Sequence, residues 1–208
     1  MPDSRGAEPP DTTDFDRLRS AASGCQGCTL YQDATQTVFG EGTAGAKVLV
    51  VGEQPGDKED VAGEPFVGPA GKLLDRAFEE AGFDRRSLYV TNAVKHFKFK
   101  REGKRRIHQK PGRTEVVACR PWLLAELRAV RPELVLLLGA TAAQSVLGPK
   151  FRLTEHRGEP VEPPEDLTEL VPSAVATVHP SAVLRAPDRD EAYAAFVADL
   201  KAAGKLLG

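Results

Sequence analysis

Lys47-Val48-Leu49-Val50-Val51-Gly52-Glu53-Gln54-Pro55-Gly56 reads as one buried strand running into a tight turn. The apolar run is continuous rather than alternating, as in strands covered on both faces. The glycines and proline mark its carboxyl end. Leu88 to Thr91, Leu134 to Leu138 and Ala174 to Val178 read as three more strands. Helical stripes separate them: Phe15 to Ala22 ending at Gly24, Gly71 to Ala81 stopped by Gly82, and Ala140 to Leu147. Two longer helices are predicted, one from a Thr114 cap to Val130 with Pro132 beyond it, the other from Asp190 to Leu206. Residues 151 to 172 are Pro-rich and read as an edge hairpin. Strands alternating with helices predict an α/β fold, a three-layer α/β/α sandwich on a central, mostly parallel four-stranded sheet. Ligands bind beyond the carboxyl ends of such strands. Four segments leave those ends: Gly52 to Gly56, Asn92 with the basic segment after it, Gly139 with Ala140, and His179 to Arg185.

The segment after Asn92 is strongly cationic. From Lys95 to Arg113 there are nine Lys/Arg residues against one acid, Glu102, while the whole chain carries a net charge of -2. The basicity is therefore local and points to a polyanion docking at one face, with a solvated charge run as the plainer alternative. A long irregular loop is expected here, and such loops are usually functional or disordered. Elsewhere the balance of 41% hydrophobic and 28% charged residues is that of a soluble globular chain. One domain is expected over residues 13–208. No apolar run is long enough to span a membrane, and Leu134 to Leu138 is strand-sized. Residues 1–12 are acidic and Pro-rich, so they read as a disordered leader rather than a secretory signal. The expectation is a cytoplasmic monomer whose three cysteines are not disulfides.

Three constellations carry chemistry. Cys25-x-x-Cys28 is a chelating pair, and Cys119 adds a third thiol from a distant helix. A tetrahedral site needs a fourth ligand, and His96 opens the same segment that Cys119 closes. Residue types alone leave zinc and an iron–sulfur cluster open, and an idle or redox-active pair with an ordinary buried Cys119 is the alternative. The second constellation, Gly52 to Asp57, lets backbone approach a ligand and leaves amides as donors, unless it is merely a surface turn. The third is Val178-His179-Pro180-Ser181-Ala182-Val183-Leu184-Arg185. It can aim an imidazole into a site at the strand ends, with Ser181 and backbone amides suited to phosphate.

The motifs Gly52-Glu53-Gln54-Pro55-Gly56, Glu64-Pro65-Phe66-Val67-Gly68-Pro69-Ala70-Gly71-Lys72-Leu73-Leu74-Asp75, Val90-Thr91-Asn92 and His179-Pro180-Ser181-Ala182-Val183-Leu184-Arg185 resemble the uracil-DNA glycosylase superfamily. The likeness is to its iron–sulfur family 4. Lys104-Arg105-Arg106-Ile107-His108 together with Gln54 is similar to the uracil-DNA-crosslinking subgroup UdgX. The resemblance runs from Cys25 to the last helix. It implies a four-stranded parallel sheet flanked by helices and a [4Fe–4S] cluster, with zinc as the alternative. Family 4 usually has a cysteine where this chain has His96, so Cys25, Cys28, His96 and Cys119 are the implied ligands.

The resemblance also implies roles. Uracil must leave the DNA stack before its glycosidic bond is accessible. Phe66 would stack on the base, Asn92 would read its O4 and N3 edge, and backbone around Gln54 and Asp57 would complete recognition. His179 would donate to uracil O2, and Glu53 would favour the cationic sugar or hold a neighbouring imidazole in position. His108 would then join C1′ through a ring nitrogen, kept neutral by Lys104, Arg105 and Arg106. Gln54, a poor general base, would deny water access to C1′. Arg106 would lock the basic segment onto the scaffold, with a phosphate contact as the alternative, and Lys104, Arg105, Ser181 and Arg185 would meet DNA, with Leu184 filling the space of the flipped base. The expected partner is uracil-containing DNA, single- or double-stranded, and the expected product is free uracil and a covalent DNA adduct. A turnover hydrolase of family 4 type and a non-catalytic iron–sulfur DNA-binding module are the alternatives.

Overall fold

The computed structural model describes residues 5–207. In chain order its helices and strands are α1 (Phe15–Ser23), β1 (Glu41–Gly42), β2 (Val48–Gly52), α2 (Asp57–Ala62), α3 (Pro69–Ala81), β3 (Tyr89–Asn92), β4 (Phe99–Glu102) and β5 (Arg105–His108). Next come α4 (Arg113–Val130), β6 (Leu134–Leu138), α5 (Ala140–Leu147), α6 (Leu153–His156), β7 (Pro160–Val161), β8 (Ala174–Thr177), α7 (Pro180–Leu184) and α8 (Arg189–Gly204).

The main sheet has the order β1-β3-β2-β6-β8-β7. Its four inner strands are parallel, with Val50 opposite Val90 and Leu136, and Leu136 opposite Val175. This is the predicted parallel sheet, to which β1 and β7 add two-residue antiparallel edges. Every residue of β2 and β6 is buried. Alternation along β2 decides which layer each residue joins. Leu49 and Val51 share a cluster with Leu123 and Leu127 of α4 and Ala143 of α5. Val48 and Val50 share the opposite cluster with Leu74 and Phe78 of α3 and Phe196 and Leu200 of α8. Each such aliphatic side chain contributes roughly 1.5–3 kcal/mol through burial, and period-two alternation splits that gain between the two faces.

Several expectations need correction. The basic segment is not an irregular loop. It is an antiparallel hairpin of β4 and β5, with Phe99 opposite His108 and Glu102 opposite Arg105. Gly103 takes φ +61, the first turn position of a type II′ hairpin, where only glycine enters without strain. Residues 57–62, for which the sequence predicts no element beyond the turn ending at Asp57, form α2. Gly112, not Thr114, precedes α4, and its N–H donates to Glu115 Oε2 at 2.5 Å. Residues 151–172 supply only the short β7 to the sheet edge, beside α6 and a 3-10 turn at Glu165–Leu167. The predicted leader is not wholly detached. Ala7 is buried, its N–H donates to Ala118 O at 2.7 Å, and Gly6 N–H donates to Gly27 O at 3.1 Å. The part of that leader from residue 1 to 4 lies outside the described residues. No helix among the described residues is long and apolar enough to cross a membrane.

Candidate active site

The strand order places β3 on one side of β2 and β6 on the other, so chain direction diverges at the carboxyl end of β2, where an open sheet of this kind presents a crevice. Gly52 ends β2 and pairs in register with Asn92, which ends β3. A methyl group on Gly52 would run into Asn92 Oδ1 and the Phe66 ring, so glycine here leaves room for both. Asn92 is buried, and its side-chain amide makes no hydrogen bond to any described residue. Phe66 is buried with φ +60, a left-handed conformation a phenylalanine rarely adopts. Such strain persists where surrounding structure over-determines it. Here Glu59 Oε1 accepts from Gly68 N–H at 2.9 Å, and Gly71 admits the Phe66 carbonyl against α3.

The Phe66 ring lies nearly parallel to that of His179, with centroids 6.2 Å apart. His179 caps α7, and its Nδ1 receives the Ser181 N–H at 3.2 Å with Ser181 Oγ at 2.8 Å. Nδ1 is therefore an acceptor, which leaves the proton of the neutral ring on Nε2. Burial, reinforced by His108 and Arg185, pushes the His179 pKa down to about 4. The ring is thus a neutral donor near pH 7. Ser181, expected on phosphate, also fixes the His179 tautomer through its backbone N–H. Gly139, at φ +93, brings β6's end against the His179 Cβ.

Glu53 comes directly after Gly52 and points its carboxylate across the crevice. Thr141 Oγ1 of α5 donates to Glu53 Oε2 at 2.5 Å, and His108 Nε2 lies 3.5 Å from Glu53 Oε1. His108 is half-exposed at the end of β5, and burial, with Arg185 in support and Glu53 opposing, lowers its pKa. The cationic cluster of Lys104, Arg105 and Arg106, expected to be the cause, is not. Desolvation and Arg185 act instead, because Lys104 and Arg105 stand exposed at the hairpin tip and Arg106 is neutralised by acids.

Arg106 is held from four sides. Its Nε meets Asp57 Oδ1 at 2.5 Å, Nη1 meets Asp60 Oδ2 at 2.6 Å and Thr35 Oγ1 at 3.1 Å, and Nη2 meets the Asp57 carbonyl at 3.3 Å. Its guanidinium also lies over the rings of Phe97 and Phe99. Asp57, expected near the base, is thereby an anchor for the hairpin. Gln54 has a similar duty. Its amide nitrogen donates to Lys98 O at 3.2 Å and Gln109 O at 3.0 Å, while its oxygen accepts from Lys98 N–H at 3.1 Å. The side chain expected to shield C1′ is spent joining the two feet of the hairpin. Thr141, Asp60 and Thr35 were missed by sequence reading. Thr141 alone had a local signal, being a polar residue in the first turn after a strand end.

Cys25, Cys28 and Cys119 gather behind this crevice, close enough to influence one another's ionisation. Two of the sulfurs accept a hydrogen bond: Cys25 from Trp122 Nε1–H and Cys119 from Lys95 N–H, each at 3.2 Å. Burial raises the Cys28 pKa and pushes that of Cys119 up to about 12. His96 does not complete the set: its Nε2 bonds Thr37 Oγ1 at 2.9 Å, and burial brings its pKa down to about 4. Among the described residues, no three His, Cys, Asp or Glu side chains form a group that could hold a metal ion. Three soft donors, two of them with N–H···S support, suit a sulfur-ligated cluster in chemistry, and the predicted four-ligand set is not assembled among the described residues.

The comparisons agree with this geometry. Residues 39–201 match the uracil DNA glycosylase superfamily. The chain is 35% identical over 162 residues to a type-4 uracil-DNA glycosylase of Thermotoga maritima, covering 77% of this chain and 78% of that protein. It is 34% identical over 187 residues to the type-4 enzyme of Archaeoglobus fulgidus, covering 88% of each. With the type-4 enzyme of Pyrobaculum aerophilum it shares 32% identity over 176 residues, 84% of this chain and 86% of the other. The parallel sheet, the crevice at its strand ends and these matches together place the chain in the uracil DNA glycosylase superfamily.

Proposed function

We propose that the protein excises uracil from DNA by cleaving the N-glycosidic bond. The observation that carries this reading is Asn92, a buried amide with no protein partner among the described residues, beside the Phe66 ring and a neutral His179 donor. A flipped uracil would stack on Phe66 and offer its N3–H and O4 to the Asn92 amide. His179 Nε2–H would donate to O2, where negative charge grows as the bond breaks. The Glu53 carboxylate, held by Thr141, would stabilise the cationic sugar. Donors and charges fixed beforehand at these positions are the main source of rate enhancement in such sites. Exposed Lys104 and Arg105 on the hairpin tip, with Arg185 beside the two histidines, would meet phosphates, giving salt-sensitive binding.

The similarity to type-4 enzymes supports turnover, with water completing the reaction at C1′. A second reading, that of the crosslinking subgroup, has its own support in His108. A neutral imidazole sits 3.5 Å from Glu53 on a hairpin clamped by Arg106 and Gln54, and can reach C1′ in place of water. The C1′–N bond to uracil breaks with its electron pair, a ring nitrogen forms the new bond, and the imidazole proton is released. Incubation with a uracil-containing oligonucleotide, followed by assay of free uracil and a denaturing gel, tests both readings. Released uracil supports excision, and a denaturant-stable protein–DNA band selects the second reading. No released uracil in either form overturns the proposal.

We also infer that Cys25, Cys28 and Cys119 hold an iron–sulfur cluster, with the gathering of three thiols and the N–H···S hydrogen bonds to Cys25 and Cys119 as the support. When bound, such a group supplies a structural tie between distant segments. His96 would have to give up its Thr37 bond to become the fourth ligand.

A further inference from the structure

Behind Asn92 lies a buried ion pair that the chemistry above leaves unused. Lys95 and Glu126 side chains are both 0% exposed, and Lys95 Nζ stands 2.5 Å from Glu126 Oε2. The ammonium's other two donors go to Thr91 Oγ1 at 2.5 Å and to the Asn92 carbonyl at 2.7 Å. Glu126 Oε1 in turn accepts from Gly40 N–H, Tyr89 Oη–H and Thr91 Oγ1–H. An apolar pair of similar volume usually holds a core at least as well as a buried ion pair, because two charges must be desolvated. Stability therefore does not explain the pair, and its geometry does.

We infer that Lys95 and Glu126 are positioning residues that aim the Asn92 amide at the base, an inference that rests on Asn92 being the base reader. The Asn92 carbonyl turns inward where β3 ends, and Lys95 fixes it there. The next residues are pinned to the neighbouring strand end, Ala93 N–H on Gly52 O at 2.9 Å and Val94 N–H on Glu53 O at 3.0 Å. With its carbonyl and following peptides fixed, the Cα–Cβ bond of Asn92 is fixed too, and its side-chain oxygen lies against Gly52 beside Phe66. Uracil presents a donor at N3 and an acceptor at O4, and cytosine presents the reverse. An amide that cannot drift discriminates between them, because the wrong base leaves buried polar groups unpaired.

The test uses the full-length protein as isolated. Lys95→Met alone strands a buried carboxylate, so the deciding variant is Lys95→Met with Glu126→Gln, which removes both charges. Measured are the melting temperature, the visible spectrum, KM and kcat on uracil-containing DNA, and the calorimetric Kd for free uracil. Positioning predicts that KM and the uracil Kd rise at least tenfold while the spectrum and melting stay near wild type. A merely structural pair would lower melting or the active fraction and leave both constants within twofold, which overturns the inference. Should the double variant fail to fold, Glu126→Gln is judged by the same two constants. A wild-type protein that neither releases nor binds uracil defeats the reading of Asn92 and this inference together. Uracil release by wild type with an indistinguishable folded variant defeats the inference alone.

Discussion

His108 Nε2 and Glu53 Oε1 stand 3.5 Å apart, joining the foot of the basic hairpin to the end of the central strand β2. In the proposed mechanism this one carboxylate would face both the cationic sugar and an imidazole able to attack it, while Thr141 holds its other oxygen. Glu53→Gln keeps the shape and removes the charge. Loss of one such electrostatic contact costs about 10²–10³ in kcat, and that fall in uracil release is expected. His108→Ala should abolish any denaturant-stable adduct while uracil binding survives, since Asn92, Phe66 and His179 remain. His108→Ser should admit water and convert an adduct-forming protein into one that turns over. Adduct in His108→Ala would identify a different nucleophile.

Under the proposed mechanism the two depressed histidines should set the pH dependence. Both act as neutral rings, and a lowered pKa lets the neutral form persist further into acid. Burial brings His179 to about 4, so base release should hold well below pH 6 before it declines. His108, also lowered chiefly by burial, should set a separate acid limb for adduct formation, below the ordinary histidine value of about 6.5. Single-turnover rates of uracil release and adduct formation from pH 4 to 8 check this. An acid limb for uracil release centred near 6.5 would contradict the buried, tautomer-fixed His179.

Gln54 and Arg106 hold the hairpin by different means, and their variants should differ. Gln54→Ala removes three hydrogen bonds between β2's end and the hairpin's feet. Slower or lower adduct formation is expected, with some free abasic product as the imidazole loses its fixed place. Arg106→Ala also leaves the fully buried Asp60 carboxylate without its cation. Breaking one partner of a buried pair costs about 3–5 kcal/mol, so Arg106→Ala should lower the melting temperature as well as the adduct yield. Parallel time courses of adduct and abasic DNA, with thermal melts, separate the two effects.

Gly52→Ala is the sharpest steric probe of the pocket. Its methyl would meet the Asn92 amide and the Phe66 ring. Uracil release should fall more than a hundredfold, by the roughly 2.7 kcal/mol such a loss represents, and free uracil should no longer bind. Retained binding would place the base elsewhere.

The cysteine site makes a spectroscopic prediction. The purified protein should be brown, with broad visible absorbance and stoichiometric iron and sulfide. Cys25→Ala or Cys119→Ala should bleach it and lower its stability together. A colourless protein carrying zinc with full activity would refute the cluster.

The sequence by itself determined the layers and the end of the sheet at which chemistry collects. Val48 to Gly52 and Leu134 to Leu138 are uninterrupted apolar runs, and burial on both faces is a property of the run. The residues at the carboxyl ends of the parallel strands, Gly52 and Glu53 after β2, Asn92 at β3 and His179 after β8, then had to fall at one edge. Other features depended on contacts between distant segments and were settled only by tertiary structure. The hairpin carried one local signal, Gly103, within a charge run that reads equally as coil. Gln54 could be recognised as a clamp only once Lys98 and Gln109 were beside it, and Arg106 as an anchor only with Asp57, Asp60 and Thr35 in place. The same holds for the neutral imidazoles. Their protonation is decided by burial and by Arg185, and desolvation is a property of the assembled fold that no spacing of residues encodes.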